Sequence, residues 1–131
     1  MSTDAVYRAI ILEEYKHPRN KGELPGATHV ARVRNLSCGD DITVMLAVRD
    51  GVIADARFQG VGCAVSQAAA SLFTDHIKGR RVAEVEAMDE QTIIGLFGFT
   101  PNPMRMKCAL LVLRGAADAL EGKGEKAMKG E

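Results

Sequence analysis

The residues of this chain best suited to chemistry are three cysteines and one aspartate. Cys38 and Asp40 stand in the triplet Cys-Gly-Asp, Cys63 follows a glycine, and Cys108 follows a lysine. Three thiolates and one carboxylate form a four-ligand set that suits a tetrahedral soft or borderline metal. Their spacing differs from the Cys-x-x-Cys pattern of a zinc ribbon, so the folded domain has to bring distant segments together. Three unrelated buried cysteines are the alternative interpretation.

Cys63 lies in a short stretch, residues 59–66, that joins two different periodicities. The segment before it alternates as a strand does, and the Ala-rich segment after it has the spacing of a helix. Gly60 and Gly62 provide the backbone freedom that a sharp turn needs. Cys63 is therefore predicted at a helix N-terminus, where free N–H groups and the helix dipole favour a thiolate. A small cysteine packed in a strand–helix corner would give the same pattern.

A β-hairpin over residues 42–59 is the element that positions the first two cysteines. Apolar residues alternate with polar ones on both sides of Asp50-Gly51, a dipeptide that strongly favours a two-residue hairpin turn. The hairpin returns the chain, so the segment after residue 59 lies beside the segment before residue 42. Cys38 and Cys63 are therefore expected to be neighbours at one end of the sheet.

The remaining elements are predicted from periodicity, caps and breakers. Helices are expected over residues 3–17, 64–78 and 89–97, with a weak strand over residues 28–36 and a connector at residues 80–82. Asn102-Pro103 favours the start of a last helix that continues to about residue 120. Its apolar stripe is predicted to comprise Met106, Ala109, Leu110, Leu113, Ala117 and Leu120. Cys108 falls beside that stripe, which predicts a position near the surface.

Composition narrows the class of protein. Of the 131 residues, 17 are Lys or Arg and 17 are Asp or Glu, so no overall field favours nucleic acid or an acidic membrane. No apolar run reaches about 18 residues, and the N-terminus lacks a secretory signal pattern. An odd number of cysteines cannot form a complete disulfide set within one chain. We therefore expect a cytoplasmic domain over residues 1–121, with a flexible tail over residues 122–131 and no nucleic-acid or membrane partner.

The order of these motifs resembles the iron–sulfur cluster assembly scaffold proteins of the NifU N-terminal, IscU and SufU type. The resemblance runs over about residues 4–120 and includes residues 17–20, 35–40, 60–66 and 105–109. It implies an α+β fold with a three-stranded antiparallel sheet packed by helices. It also implies a [2Fe–2S] cluster or Zn²⁺ bound by Cys38, Asp40, Cys63 and Cys108. The partners that it implies are a PLP-dependent cysteine desulfurase and apo iron–sulfur acceptor proteins.

The chain also departs from the branches of that family. Lys107 precedes Cys108 where the IscU branch has a histidine, and residues 100–104 do not match the Leu-Pro-Pro-Val-Lys chaperone motif. The Gly-Cys-Ala-Val-Ser and Arg-x-Lys-Cys motifs look like the SufU branch, whose insertion before the last cysteine is missing here. We therefore interpret the chain as SufU-like without the insertion.

Three functions fit these residues. The first is a scaffold that receives sulfur, assembles a labile [2Fe–2S] cluster and passes it to apo-proteins. The second is a zinc-dependent sulfurtransferase, and the third is a structural zinc domain, which Asp40 disfavours because such sites prefer Cys and His. Cys108 is predicted to accept the sulfur, with Arg105 and Lys107 as cations that stabilise its thiolate or persulfide. The oligomeric state is left open.

Overall fold

The chain forms an α+β domain, and the predicted hairpin provides two of the strands of its sheet. The computed structural model describes residues 3–122, with side chains in the first helix described from residue 9 onward. Its elements follow one another as α1 (Thr3–Lys16), β1 (His29–Asn35), β2 (Asp40–Arg49), β3 (Val52–Val61), α2 (Ala64–Ile77), α3 (Val82–Glu86), α4 (Glu90–Phe97), α5 (Pro103–Ala109) and α6 (Leu111–Glu121). The predicted fold class is confirmed.

The three strands form one antiparallel sheet in the order β1-β2-β3. Asp50 and Gly51 both have positive φ, 53° and 77°, which is the backbone of a type I′ hairpin turn. The predicted hairpin is confirmed, and each of its strands runs two residues further than expected, to Asp40 and to Val61. This extension carries the hairpin up to the segments that contain Cys38 and Cys63.

A bulge in β3 changes the side-chain alternation that the sequence predicts. Ala47 pairs with Asp55 while Val48 pairs with Ile53, so Ala54 is the extra residue. Because a bulge shifts the period of two, Ile53 and Ala56 are both fully buried and Ala54 is exposed. The regular alternation expected over residues 52–59 is therefore interrupted at Ala54.

Helices α2 and α6 pack against the sheet and against each other, and α1 packs on α2. The core between them is almost wholly apolar. Its largest fully buried side chains are Phe58, Phe73, Phe97, Ile42, Leu46, Ile53, Ile77, Ile93, Leu111, Val44, Val65 and Val112. Burial of this set provides most of the stabilisation of the domain, at about 1.5–3 kcal/mol for each large side chain.

The C-terminal third departs from the sequence predictions in three ways. Residues 82–86 form helix α3, whereas the sequence predicts only a connector at residues 80–82. The expected single helix from Pro103 is divided into α5 and α6 at Leu110. Of the predicted stripe only Ala109 is buried, and the other buried residues of α5 and α6 are Cys108, Leu111, Val112, Gly115, Ala116 and Ala119. Gly115, Ala116 and Ala119 are small, which lets α6 approach the sheet closely.

The segment between α1 and β1 is fastened to both β3 and α2. The Gly22 N–H donates to the Phe58 carbonyl, and the Phe58 N–H donates to the Asn20 carbonyl, so this segment extends the edge of the sheet. Arg19 forms an ion pair with the buried carboxylate of Glu14. No helix within residues 3–122 is long and apolar enough to cross a membrane. The tail predicted at residues 122–131 lies outside the described residues from residue 123 onward.

Candidate metal centre

Three separate segments bring the cysteines to one end of the sheet. Cys38 lies in the turn between β1 and β2, Cys63 is the N-cap of α2, and Cys108 lies in the last turn of α5. The strand register places Asn35 opposite Asp40 and Asp41 opposite Val61, so both cysteine-bearing turns leave the sheet at the same end. The predicted proximity of Cys38 and Cys63 is in keeping with this register, and both border one pocket.

The closest contact in the centre joins two sulfurs. Cys108 Sγ lies 3.0 Å from Cys38 Sγ, well beyond the about 2.05 Å of a disulfide, and all three cysteines are free. Ligand atoms of Cys38, Asp40 and Cys108 lie within 4.8 Å of one another. Cys63 is not part of that set. Its Sγ instead accepts a hydrogen bond from the Ser66 N–H at 3.5 Å.

The two carboxylate oxygens of Asp40 differ in their hydrogen bonding. The side chain is almost completely buried. Its Oδ1 accepts from the Cys63 N–H at 2.8 Å and from the Ser66 hydroxyl at 3.2 Å. Its Oδ2 is buried without a hydrogen-bond partner among the described residues. A buried oxygen of this kind normally costs free energy, and a cation bound beside the thiols would offset that cost. The residues present therefore fit a metal.

Gly62 is the residue that lets Asp40 approach the start of α2. A Cβ at this position would lie 2.5 Å from Ser66 Oγ and 2.7 Å from Asp40 Oδ1. Both distances are too short for any side chain, so the hydrogen bonds to Oδ1 require glycine here. The sequence identified Gly62 as a turn residue, but the steric reason comes from the packing of Asp40.

Cys108 is buried, with 3% of its surface exposed, so the prediction of a position near the surface is wrong. Cys108 and Ala109 are the buried residues of α5, and α5 packs against α2, so this contact buries a residue that lies outside the predicted stripe. Burial is the main cause that raises the pKa of the Cys108 thiol well above its ordinary value, and hydrogen bonds with Cys38 and Cys63 raise it further. Without a metal, the thiol therefore keeps its proton at neutral pH.

A pocket of about 510 Å³ opens onto the centre. Its lining comprises the three cysteines together with Asn102, Pro103, Met104 and Arg105. Arg105 thus stands at the pocket, as expected of a supporting cation. Lys107 is exposed and lines a different pocket, beside Leu110 and Leu113. Of the two predicted supporting cations, only Arg105 borders the pocket of the cysteines.

Two residues of the centre had no predicted role. Ser66 anchors Asp40 Oδ1, and the Asn35 side-chain amide lies 3.9 Å from Cys108 Sγ. Both belong to motifs that the sequence singled out, but their roles depend on side-chain directions that periodicity does not give. The group of candidate ligands found within residues 3–122 contains no histidine.

Relatives with assigned functions cover most of the chain. An iron–sulfur cluster assembly scaffold protein IscU from Thermotoga maritima is 36% identical over 88% of this chain and 93% of its own length. A zinc-dependent sulfurtransferase SufU from Bacillus subtilis is 34% identical over 82% of this chain and 84% of its own length.

Solved structures of two similar proteins share the fold of this chain. A protein from Fervidobacterium islandicum, described as an iron–sulfur cluster assembly scaffold of the SUF system, superposes with a TM-score of 0.75 at 29% identity. The match covers 91% of this chain and 99% of the other. The N-terminal part of a NifU-like protein from Brucella abortus gives 0.74 at 27% identity, covering 94% and 97%. A family model described as NifU-like N terminal domain matches residues 6–127, so the chain belongs to that family of iron–sulfur cluster assembly scaffolds and their relatives.

Proposed function

We propose that this protein is an iron–sulfur cluster assembly scaffold of the cytoplasm. It receives sulfur from a PLP-dependent cysteine desulfurase, assembles a labile [2Fe–2S] cluster and passes it to apo-proteins. One observation carries the proposal: the two sulfurs of Cys38 and Cys108 and the unpartnered Oδ2 of Asp40 lie together beside an open pocket that Cys63 also borders. The proposed ligands of the cluster are Cys38, Asp40, Cys63 and Cys108.

The pocket and the ligand set favour a temporary cargo. A volume of about 510 Å³ greatly exceeds the roughly 30 Å³ occupied by one water molecule, so it leaves room for a binuclear cluster and for an approaching partner. Asp40 supplies a hard oxygen ligand to a cargo that prefers soft sulfur. A mixed set of this kind binds less tightly than four thiolates, which favours release.

Sulfur transfer is assigned to Cys108. Burial raises the pKa of the Cys108 thiol, so it reacts through its minor thiolate fraction. The thiolate Sγ attacks the outer sulfur of the donor persulfide, the donor S–S bond breaks, and the departing donor thiolate takes up the proton that Cys108 lost. The new persulfide sulfur takes two electrons from an external dithiol, which is oxidised to a disulfide, and leaves Cys108 as sulfide. Arg105, at the pocket, is placed to attract the anionic donor. Lys107 adds positive charge on the same helix.

Anaerobic reconstitution tests this function. The full chain is incubated with a cysteine desulfurase, cysteine, Fe²⁺ and a dithiol, and iron and acid-labile sulfide are then counted with the visible spectrum. The scaffold proposal expects about two iron and two sulfide per site, and transfer of both to apo-ferredoxin. A chain that binds no iron and sulfide, or that retains them in the presence of apo-ferredoxin, would contradict it.

The same incubation without iron locates the acceptor. Mass spectrometry of the peptides should find the first added sulfur on the peptide containing Cys108, and Cys108→Ser should abolish it. First labelling of Cys38 or Cys63, which are both more exposed than Cys108, would reject the assignment to Cys108.

A zinc-dependent sulfurtransferase is the second candidate. The observation that favours it is the pair of motifs shared with the SufU branch, together with the 34% identity to a protein of that activity. Bound zinc would lower the pKa of its cysteine ligands and keep them as thiolates. In this case the reconstituted chain retains zinc, accumulates persulfide and forms no cluster, so metal analysis separates the two candidates.

A further inference from the structure

Cys38 and Cys108 bring their sulfurs into direct contact. The two Sγ atoms are 3.0 Å apart, whereas an S–S bond measures about 2.05 Å, so a movement of about 1 Å would join them. Cys63 lies outside the close group that these two cysteines form with Asp40, and its sulfur accepts a hydrogen bond from the Ser66 N–H. Cys38 is therefore the thiol best placed to react with a sulfur atom carried by Cys108.

The turn that carries Cys38 has room for this movement. The Cys38 N–H donates to the Asn35 carbonyl at 3.1 Å, which closes the turn between β1 and β2. Gly39 follows with a φ of 73°, and a Cβ at this position would meet no heavy atom within 4 Å. Cys38 is half-buried and borders the same pocket as Cys108. The open space beside Gly39 lets the turn shift toward α5.

The proposed sulfur transfer leaves a persulfide on Cys108 that has to be reduced. A [2Fe–2S] cluster contains sulfide, which holds two more electrons than the outer sulfur of a persulfide. A second thiol beside the persulfide supplies these electrons when it attacks the inner sulfur, as in thiol–disulfide exchange. The inner sulfur is Cys108 Sγ, which Cys38 Sγ already contacts.

We propose that Cys38 is a resolving thiol that releases the outer sulfur of the Cys108 persulfide as sulfide. The Cys38 thiolate attacks Cys108 Sγ and forms a Cys38–Cys108 disulfide, and the bond between Cys108 Sγ and the outer sulfur breaks. The outer sulfur leaves with the electron pair of that bond and with the proton of Cys38, as HS⁻. The two cysteines lose the two electrons that this sulfur gains.

This step rests on the proposed function and adds to it the residue that releases the sulfide. An external dithiol then reduces the Cys38–Cys108 disulfide, so the dithiol remains the final source of both electrons. The dithiol reaches this bond through the pocket, at the half-buried Cys38. Until the bond is reduced, neither cysteine is a thiolate that can bind a metal. Sulfide release and metal binding therefore alternate at the same two residues.

Peptide mapping of the apo chain tests the resolving role. The full chain, freed of metal by a chelator, is incubated with glutathione persulfide in the absence of a dithiol, and the released sulfide is measured. We expect about one sulfide per chain and a disulfide that links the peptides containing Cys38 and Cys108. A chain that releases no sulfide, or that links Cys108 to Cys63 instead, would overturn the proposal.

Two neighbouring substitutions separate the Cys38 thiol from the turn that carries it. In Cys38→Ser, the persulfide should persist on Cys108, and sulfide release should fall about ten-fold or more. Ser37→Ala changes an exposed side chain of the same turn and keeps both thiols, so its sulfide release should stay within about two-fold of the parent. Thermal unfolding checks that both variants fold. Equal release by Cys38→Ser and the parent would reject the resolving role.

The same assay with a cysteine desulfurase and cysteine in place of glutathione persulfide distinguishes the two proposals. If the desulfurase transfers no sulfur but glutathione persulfide yields sulfide and the Cys38–Cys108 disulfide, the proposed function fails and the resolving role stands. If Cys108 takes sulfur from the desulfurase and Cys38→Ser releases it as fast as the parent does, the resolving role fails and the proposed function stands.

Discussion

At the residue scale, Asp40 does more than offer a ligand. Its Oδ1 is held by the Cys63 N–H and the Ser66 hydroxyl, and only Oδ2 is left for a metal. The residue types alone suggest an exchangeable carboxylate, because oxygen is a weak ligand in a soft set. The hydrogen bonds add a structural role at the start of α2. Ser66 is therefore a positioning residue that fixes which oxygen faces the thiols.

Ser66→Ala tests this positioning. The substitution removes the hydroxyl, which lies 3.2 Å from Asp40 Oδ1 and 3.0 Å from the Cys63 carbonyl, at a cost of about 1 kcal/mol. It leaves the Cys63 N–H as the one hydrogen-bond donor to Oδ1, so the carboxylate is less firmly oriented. We expect the domain to fold and its zinc affinity, measured by competition with a chromophoric chelator, to fall about 10-fold, as for other residues that orient metal ligands. Ser66→Thr should restore the affinity. Ser37→Ala, at an exposed serine beside Cys38, is the control, and equal affinities for it and Ser66→Ala would refute the role.

At the element scale, small residues determine how α6 lies on the sheet. A Cβ on Gly115 would lie 2.7 Å from the Val44 Cγ2 atom and 3.1 Å from that of Val33. Val44 is fully buried and its β-branched side chain has little freedom to move. The close approach of α6 therefore depends on the absence of a side chain at this position.

Two glycine substitutions test this packing, one at a crowded position and one at an open position. Gly115→Ala gains about 1 kcal/mol of helix propensity but overpacks the contact with β2, at a cost of about 1–3 kcal/mol. We expect its free energy of unfolding in urea to fall by about 1 kcal/mol. Gly95→Ala in α4 has nothing within 4 Å of the added Cβ, so its free energy of unfolding should rise by up to about 1 kcal/mol. Stabilisation by both substitutions would contradict the packing argument.

The elements also show which features of the fold local sequence patterns predict and which they do not. The hairpin was predictable because Asp50-Gly51 and the alternation around it are local signals, and with it came the approach of Cys38 to Cys63. The burial of Cys108 was not, because residues 108–113 are all apolar and periodicity does not show which of them face the core. Contact with α2 decides which side of α5 is buried. The bulge at Ala54 is likewise absent from local patterns, because pairing with β2 determines it.

At the scale of the whole molecule, the metal centre is a product of the complete fold. The β1–β2 turn, the start of α2 and the end of α5 each contribute one cysteine, and no two of these segments are adjacent in sequence. A metal that joins them would stabilise the folded chain over the unfolded one. Cys63 is the proposed ligand whose sulfur lies outside the close group of Cys38, Asp40 and Cys108, and it accepts a hydrogen bond from the Ser66 N–H.

Zinc K-edge X-ray absorption on the zinc-loaded full chain tests most directly whether these four residues form one site. The account predicts three sulfur ligands at about 2.3 Å and one oxygen at about 2.0–2.2 Å. The Cys63→Ser variant should lose one sulfur, and the Asp40→Ala variant should lose the carboxylate oxygen. A parent spectrum with two sulfurs or with histidine nitrogens would contradict the shared site of Cys38, Asp40, Cys63 and Cys108.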